Sequence, residues 1–228
     1  MKKLITTLAL ASISLGAFAQ GQAGFANFTG LITNSFTTST FAPGFVGNSG
    51  TSGKIGSAAN GFYFTLLYTT GATPGNNNPL TAGWLQSTIS GTPVIGTNFT
   101  GLAGDMQGPK GSGTMLLDNW AAGQAGSFII VGWSANLGTS WSTVSNELNG
   151  AWANIGGYSA ANNYFFGVST IGNGTLTGSP SPAYNLWSGT GAPGGAFTLN
   201  LVGPVPEPST MALAALGGAS LLLFRRRK

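Results

Sequence analysis

The chain has 228 residues, of which 38 are glycine, 11 are proline and only 5% are charged; cysteine and histidine are absent. Without imidazole or thiol, Ser-His-Asp and Cys-His catalysis, disulfide frameworks and most zinc and copper sites are excluded. The formal charge of +4 does not signal nucleic acid: six of the eight basic residues (Lys2, Lys3, Arg225, Arg226, Arg227 and Lys228) lie at the two ends, and from Gln20 to Gly203 only Lys54 and Lys110 stand against Asp105, Asp118 and Glu147, a net of −1.

In chain order, the first element is an export label. Lys2-Lys3 gives a positive start, Leu4 to Ala17 is a short apolar run, and Ala17-Phe18-Ala19 is an A-x-A site. The pattern predicts a signal peptide over 1–19, cut by signal peptidase between Ala19 and Gln20.

A body of about 180 residues follows, long enough for one domain with its own core. Its composition argues for β-structure, because Gly, Asn and Thr are poor in helices while Thr, Phe, Tyr and Val suit pleated surfaces. Strands are predicted over Gly24 to Thr33, Phe62 to Tyr68, Thr92 to Thr97, Gly113 to Leu117, Ser127 to Trp133, Tyr164 to Ser169 and Phe197 to Val202. Phe62 to Tyr68 is apolar on both faces, which points to burial on both sides. One helix is expected over Ser140 to Ile155, where Trp141, Val144, Leu148, Ala151 and Trp152 recur at three-to-four spacing, with Ser142 as a loose cap. Loops such as Thr73-Pro74-Gly75-Asn76-Asn77-Asn78-Pro79 and Gly191-Ala192-Pro193-Gly194-Gly195 separate the strands. The expected fold class is all-β, a single antiparallel β-sandwich or jelly-roll-like domain over 20–203. A β-solenoid would need a fixed short repeat, and none is present. Aromatics at 11% argue against a low-complexity chain.

The last 24 residues form a second label. Val205-Pro206-Glu207-Pro208-Ser209-Thr210 is followed by an apolar run from Met211 to Phe224 and then Arg225-Arg226-Arg227-Lys228. Proline fixes φ and pushes its predecessor toward extended geometry, so Gly203 to Pro208 is expected to be an extended, accessible segment. Thr210 to Phe224 carries no charge, and its 15 residues fall short of a relaxed bilayer span of roughly 20. Local thinning or snorkelling of the arginines accommodates that difference. A transmembrane helix over 209–224 with its basic end at 225–228 on the cytoplasmic side is the expectation.

This tail resembles the PEP-CTERM sorting signal of bacterial surface and secreted proteins. The resemblance rests on Pro206-Glu207-Pro208, Ser209-Thr210, the apolar segment and the terminal basic residues, and covers about a tenth of the chain, over 204–228. It implies handling by exosortase, a membrane-embedded enzyme that cuts at or near the motif. The same tail is also named after the C-terminus of ice-binding proteins, a name that carries no ice-binding activity to this chain. The body is similar to the small glycine-rich β domains that often precede this signal, on the strength of Gly61-Phe62-Tyr63-Phe64-Thr65-Leu66-Leu67-Tyr68, Ile129-Ile130-Val131-Gly132-Trp133 and Phe197-Thr198-Leu199-Asn200-Leu201.

Chemistry in the body has few candidates. A glycosidase needs two carboxylates, one in an apolar setting, and Asp118 with Glu147 is the best pair on offer. Calcium at Asp105 or Asp118 lacks an Asp-x-Asp-x-Asp loop. Of the six tryptophans, Trp133 is expected in the core. Trp84, Trp120 and Trp187 sit beside small residues in predicted loops and are candidates for an exposed sugar-stacking face. Asn27, Asn98 and Asn173 open N-x-Thr sequons, read as accidental in so Asn- and Thr-rich a chain. The expectation is an exported, exosortase-sorted protein with a structural or adhesive role at the cell surface or in the matrix. No catalysis, cofactor, metal or nucleic-acid partner is expected. A module for extracellular polysaccharide is the alternative, and a carboxylate glycosidase comes third.

Overall fold

The computed structural model describes residues 20–27, 32–38, 40–41, 52–111, 113–153, 155, 162–178, 181–187 and 197–203. The expected signal peptide over 1–19 and the sorting segment over 204–228, with the apolar helix expected at 209–224, lie outside these residues.

Fifteen strands and one α-helix form among them. The first four are β1 (Gln20–Gly24), β2 (Ile32–Thr38), β3 (Gly53–Lys54) and β4 (Phe62–Thr69). Short strands follow: β5 (Leu85–Gln86), β6 (Thr88–Ile89), β7 (Thr92–Pro93), β8 (Gly96–Asn98) and β9 (Met106–Gln107). Then come β10 (Thr114–Ala121), β11 (Ala125–Ser134), the helix α1 (Trp141–Asn149), β12 (Tyr164–Val168), β13 (Gly172–Thr175), β14 (Tyr184–Asn185) and β15 (Phe197–Val202).

A ten-stranded sheet runs β3-β2-β15-β12-β11-β4-β8-β9, with β13 also on β11 and β5 on β4; a second sheet runs β10-β1-β14, and β6 and β7 form a hairpin. The expected antiparallel arrangement is corrected at two places, because β2 pairs with β15 and β1 with β14 in parallel. A parallel neighbour needs a long connection rather than a hairpin, and strands drawn from opposite ends of the body supply it.

The predicted strand over Gly24 to Thr33 is also corrected. The chain forms β1 before it and β2 at its end, and Gln20-Gly21-Gln22-Ala23-Gly24 becomes a strand through its pairing with β10 rather than through apolar alternation. Thr92 to Thr97 divides into β7 and β8. The helix is shorter than its periodicity suggests. Its cap is Ser140 rather than Ser142, with Ser140 Oγ accepting from the Thr143 amide at 3.3 Å. It ends at Gly150, after which Ala151 and Trp152 take left-handed φ of 51° and 64°. That conformation is unfavourable for a bulky residue. Burial of the Trp152 ring against Phe166, at 5.2 Å between centroids, and its Nε1 donating to Phe41 O hold it there.

The core lies on both faces of β4 and β11, as the sequence of β4 implied. Their antiparallel register sets Phe64, Leu66 and Tyr68 opposite Gly132, Ile130 and Phe128. The alternate residues, Tyr63, Thr65 and Leu67, stand opposite Trp133, Val131 and Ile129 on the other face. Against the first face packs the β10-β1-β14 sheet: Trp120 stacks on Tyr68 at 5.6 Å and contacts Phe128 at 6.2 Å, while Tyr184 meets Phe128 edge-on. Against the second packs α1, whose Trp141 lies 6.1 Å from Trp133. The one hydroxyl in the middle of that face is satisfied, since Thr65 Oγ1 donates to Val94 O at 2.7 Å and accepts from Gln86 Nε2 at 2.9 Å.

Two cross-strand glycine pairs give the first face its shape. Gly132 stands opposite Gly167, and Gly126 opposite Gly174. A Cβ on Gly132 would lie 2.8 Å from the Phe64 ring, and one on Gly126 would lie 2.7 Å from both Trp120 Cζ2 and Thr69 O. On Gly167 it would strike Thr198 O, and on Gly174 the Tyr184 ring. The missing side chains are the spaces that the rings fill.

Candidate functional site

The carboxylates come first, because they were the only candidates for chemistry. Asp118 is on β10, where it serves a turn. The β6–β7 hairpin turns through Ser90 and Gly91, both at positive φ (50° and 73°), as a type I′ turn demands. Asp118 Oδ1 accepts from the Ser90 amide at 2.9 Å, Oδ2 accepts from the Gly91 amide at 2.8 Å, and Gln20 Nε2 donates to Oδ1 at 3.0 Å. These bonds favour the anion, so the Gly91 amide first and then the Ser90 amide hold the Asp118 carboxyl below its ordinary value. A general acid needs the opposite shift. Glu147 is on α1 and Asp105 precedes β9, so the three carboxylates sit on three separate elements. Among the described residues no group of three or more acidic, His or Cys residues is placed to hold a metal ion.

The pH dependence follows from these groups. Asp118 is depressed in the folded state, so its contribution is present at neutral pH and lost as pH falls below about 4 and through the folded value. Burial raises the phenols of Tyr68, whose OH donates to Asn119 O, and of Tyr184. Their contribution is full below about pH 10 and is lost as pH rises beyond it. The chain has no His or Cys, the side chains whose ordinary pKa lies between these edges. The thermal midpoint is therefore expected to be flat from about pH 5 to 9, to fall on either side, and to lose part of its acid limb in Asp118→Asn. A step in the midpoint near pH 6–7 would contradict this.

The tryptophans correct the expectation of an exposed aromatic face. Trp84, Trp120 and Trp187 are buried along with the other three, none more than 9% exposed. Trp187 stacks on Phe197 and donates from Nε1 to Phe25 O at 2.7 Å. Trp120 is on β10, Trp84 follows an exposed turn and Trp187 lies in a bend, and all three rings turn into the interior. Of the sequons, Asn27 and Asn98 are buried. Asn98 Nδ2 donates to Gly56 O and Ala58 O, and its Oδ1 accepts from the Phe62 amide, so it fastens the start of β4. Asn173 is exposed on β13.

The structure brings together one set of polar residues that sequence reasoning did not join. An open groove of about 600 Å³ is lined by Thr70 and Thr73 after β4, Ser127 on β11, and Asn173 and Thr175 on β13. The only trace of it in the sequence is the Asn173-Gly174-Thr175 sequon, since Gly172 to Thr175 has no strand pattern and pairs with β11 from far along the chain.

No curated protein and no solved structure matches the chain. The family model described as the PEP-CTERM protein-sorting motif matches residues 204–228. The chain carries a PEP-CTERM protein-sorting motif over 204–228. The match starts one residue after Gly203, where the described body ends, and spans the motif Val205-Pro206-Glu207-Pro208-Ser209-Thr210 and the basic residues Arg225, Arg226, Arg227 and Lys228. A PEP-CTERM protein is exported and sorted by exosortase to the surface or beyond, so exosortase is a processing partner. Among the described residues no helix is long and apolar enough to cross a membrane.

Proposed function

We propose that the body over 20–203 is a structural or adhesive component of the cell surface or extracellular matrix, with no catalytic step of its own. The match to the sorting motif over 204–228 carries this reading, because it assigns the body a destination. Two features of the body support the role. Its few charges leave weak mutual repulsion, which favours association. Asp118, the leading candidate for acid chemistry, is committed to the β6–β7 turn.

In this reading signal peptidase cuts after Ala19. β1 includes Gln20, whose backbone pairs with Ala121, so a cut between Ala19 and Gln20 leaves that strand whole. The segment 209–224 then holds the chain in the membrane, with 225–228 inside, until exosortase acts near Pro206-Glu207-Pro208. The packing of the β10-β1-β14 sheet on the ten-stranded sheet through Trp120 supports a sandwich-like body.

Intact mass of the protein recovered from medium and from membranes of its host tests the sorting claim. The expected released species begins at Gln20 and ends near Pro206-Glu207-Pro208, and alanines at those three positions are expected to keep the chain in the membrane fraction. A full-length C-terminus found only in membranes would overturn the processing step and leave a tail-anchored surface protein.

A further inference from the structure

The groove on β4, β11 and β13 has a defined construction. In the sheet register, Thr69, Ser127 and Asn173 stand directly opposite one another across three strands, and Ala125 and Thr175 form the next row. These residues share the face that α1 covers at the Trp133 end; at the Ser127 end that face is open. Thr73 reaches over the row from the loop after β4. Ser127 Oγ donates to Asn173 Oδ1 at 2.7 Å, and Oδ1 is an acceptor only. The 2.6 Å contact between Thr73 and Ser127 therefore has Thr73 as donor. The direction of the chain is fixed: Thr73 to Ser127 to Asn173. Its ends offer acceptor capacity on Thr73 Oγ1 and two N–H donors on Asn173 Nδ2, both at exposed residues.

The chemistry of the lining narrows the ligand. It contains hydroxyls, an amide and glycine backbone, and no charged side chain. An anionic or cationic ligand finds no counter-charge here. A ligand carrying many neutral hydroxyls, each both donor and acceptor, matches it group for group. The floor is also stiff. Behind Gly126 and Gly174, on the opposite face of the sheet, lie the rings of Trp120 and Tyr184, so binding has little to order.

We propose that this groove binds neutral, hydroxyl-rich glycans, with Thr73, Asn173 and Thr175 as the contacting side chains and Ser127 holding Thr73 and Asn173 in place. A shallow polar site of this kind binds one sugar unit weakly and a polymer through many copies. The proposal rests on the surface reading only for which glycan the site meets. Binding is measured on the isolated chain and sorting by intact mass, so either can fail without the other.

The test uses the full-length chain in mild detergent and beads bearing dextran or galactomannan, with alginate beads as an anionic comparison. Retention by a neutral polymer is expected, weakened about tenfold or more by Asn173→Ala and by Thr73→Val, since each removes a hydrogen bond to the ligand or to the chain that orients it. Asp118→Asn, on β10, is expected to leave retention unchanged. Asn173→Asp keeps the side-chain shape, replaces both donors by a charge, and should abolish retention; a native far-ultraviolet circular dichroism spectrum for each variant separates lost contacts from lost fold. No retention by either neutral polymer, retention by alginate alone, or retention that survives both Asn173 variants would overturn the proposal.

Discussion

Replacing Trp120 by alanine is expected to lower the stability of the body by about 3–5 kcal/mol, a large part of the roughly 5–15 kcal/mol that holds a domain folded. The ring is fully buried between the two sheets, nearly parallel to Tyr68 at 12° and 6.2 Å from Phe128. Its Nε1 donates to Gln124 O at 2.8 Å, in the turn joining β10 to β11. Truncation opens a cavity between sheets that cannot collapse independently, and takes the donor from Gln124. Urea unfolding followed by far-ultraviolet circular dichroism measures the loss. Trp120→Phe keeps an aromatic ring against Tyr68 and should recover about half. A loss under about 1 kcal/mol for the alanine variant would mean that the sheets are not joined through this ring.

The second large effect comes from adding a single methyl group. Gly132→Ala is expected to destabilise by about 1–3 kcal/mol, because the new Cβ lies within 3.0 Å of both Phe64 and Leu199 side-chain atoms in a packed face. Gly53→Ala is the control. Gly53 lies on the edge strand β3, exposed and with nothing within 4 Å of the added atom, so the change should stay within about 0.5 kcal/mol of zero. If Phe64 is what resists, Phe64→Leu should relieve part of the Gly132→Ala loss, with a coupling of about 0.5 kcal/mol or more in the double-mutant cycle. Additive losses would place the strain in the backbone instead.

These glycines also mark where the sequence could be read and where it could not. β4, β11, β12 and β15 were legible because each carries large apolar residues on two faces or in strict alternation, and burial on both sides leaves that imprint. β1 and β13, spelled Gln20-Gly21-Gln22-Ala23-Gly24 and Gly172-Asn173-Gly174-Thr175, carry none. They are strands because a neighbour pairs with them, and pairing across more than 40 residues leaves no local pattern. The same gap hid the groove, whose lining comes from the loop after β4, from β11 and from β13. The tryptophans misled for a different reason: a loop residue can still turn its ring into the interior, as Trp84 does after an exposed turn. The sorting motif was legible because its meaning lies in residue order, which needs no tertiary context.

The parallel pairing of β2 with β15 sets the order in which the body is completed. β15 lies between β2 and β12, and on its other edge β2 has only the two-residue β3. Phe197 pairs with Ile32, so the two are joined across most of the body's length. Contacts that distant in sequence make folding slow. The first half of the chain therefore cannot finish its large sheet until Val202 is available, one residue short of the end of the body. The ladders among β4, β8, β11, β12 and β13 need nothing from β15, so the centre of the sheet is complete in the chain before the strand that captures β2 is reached.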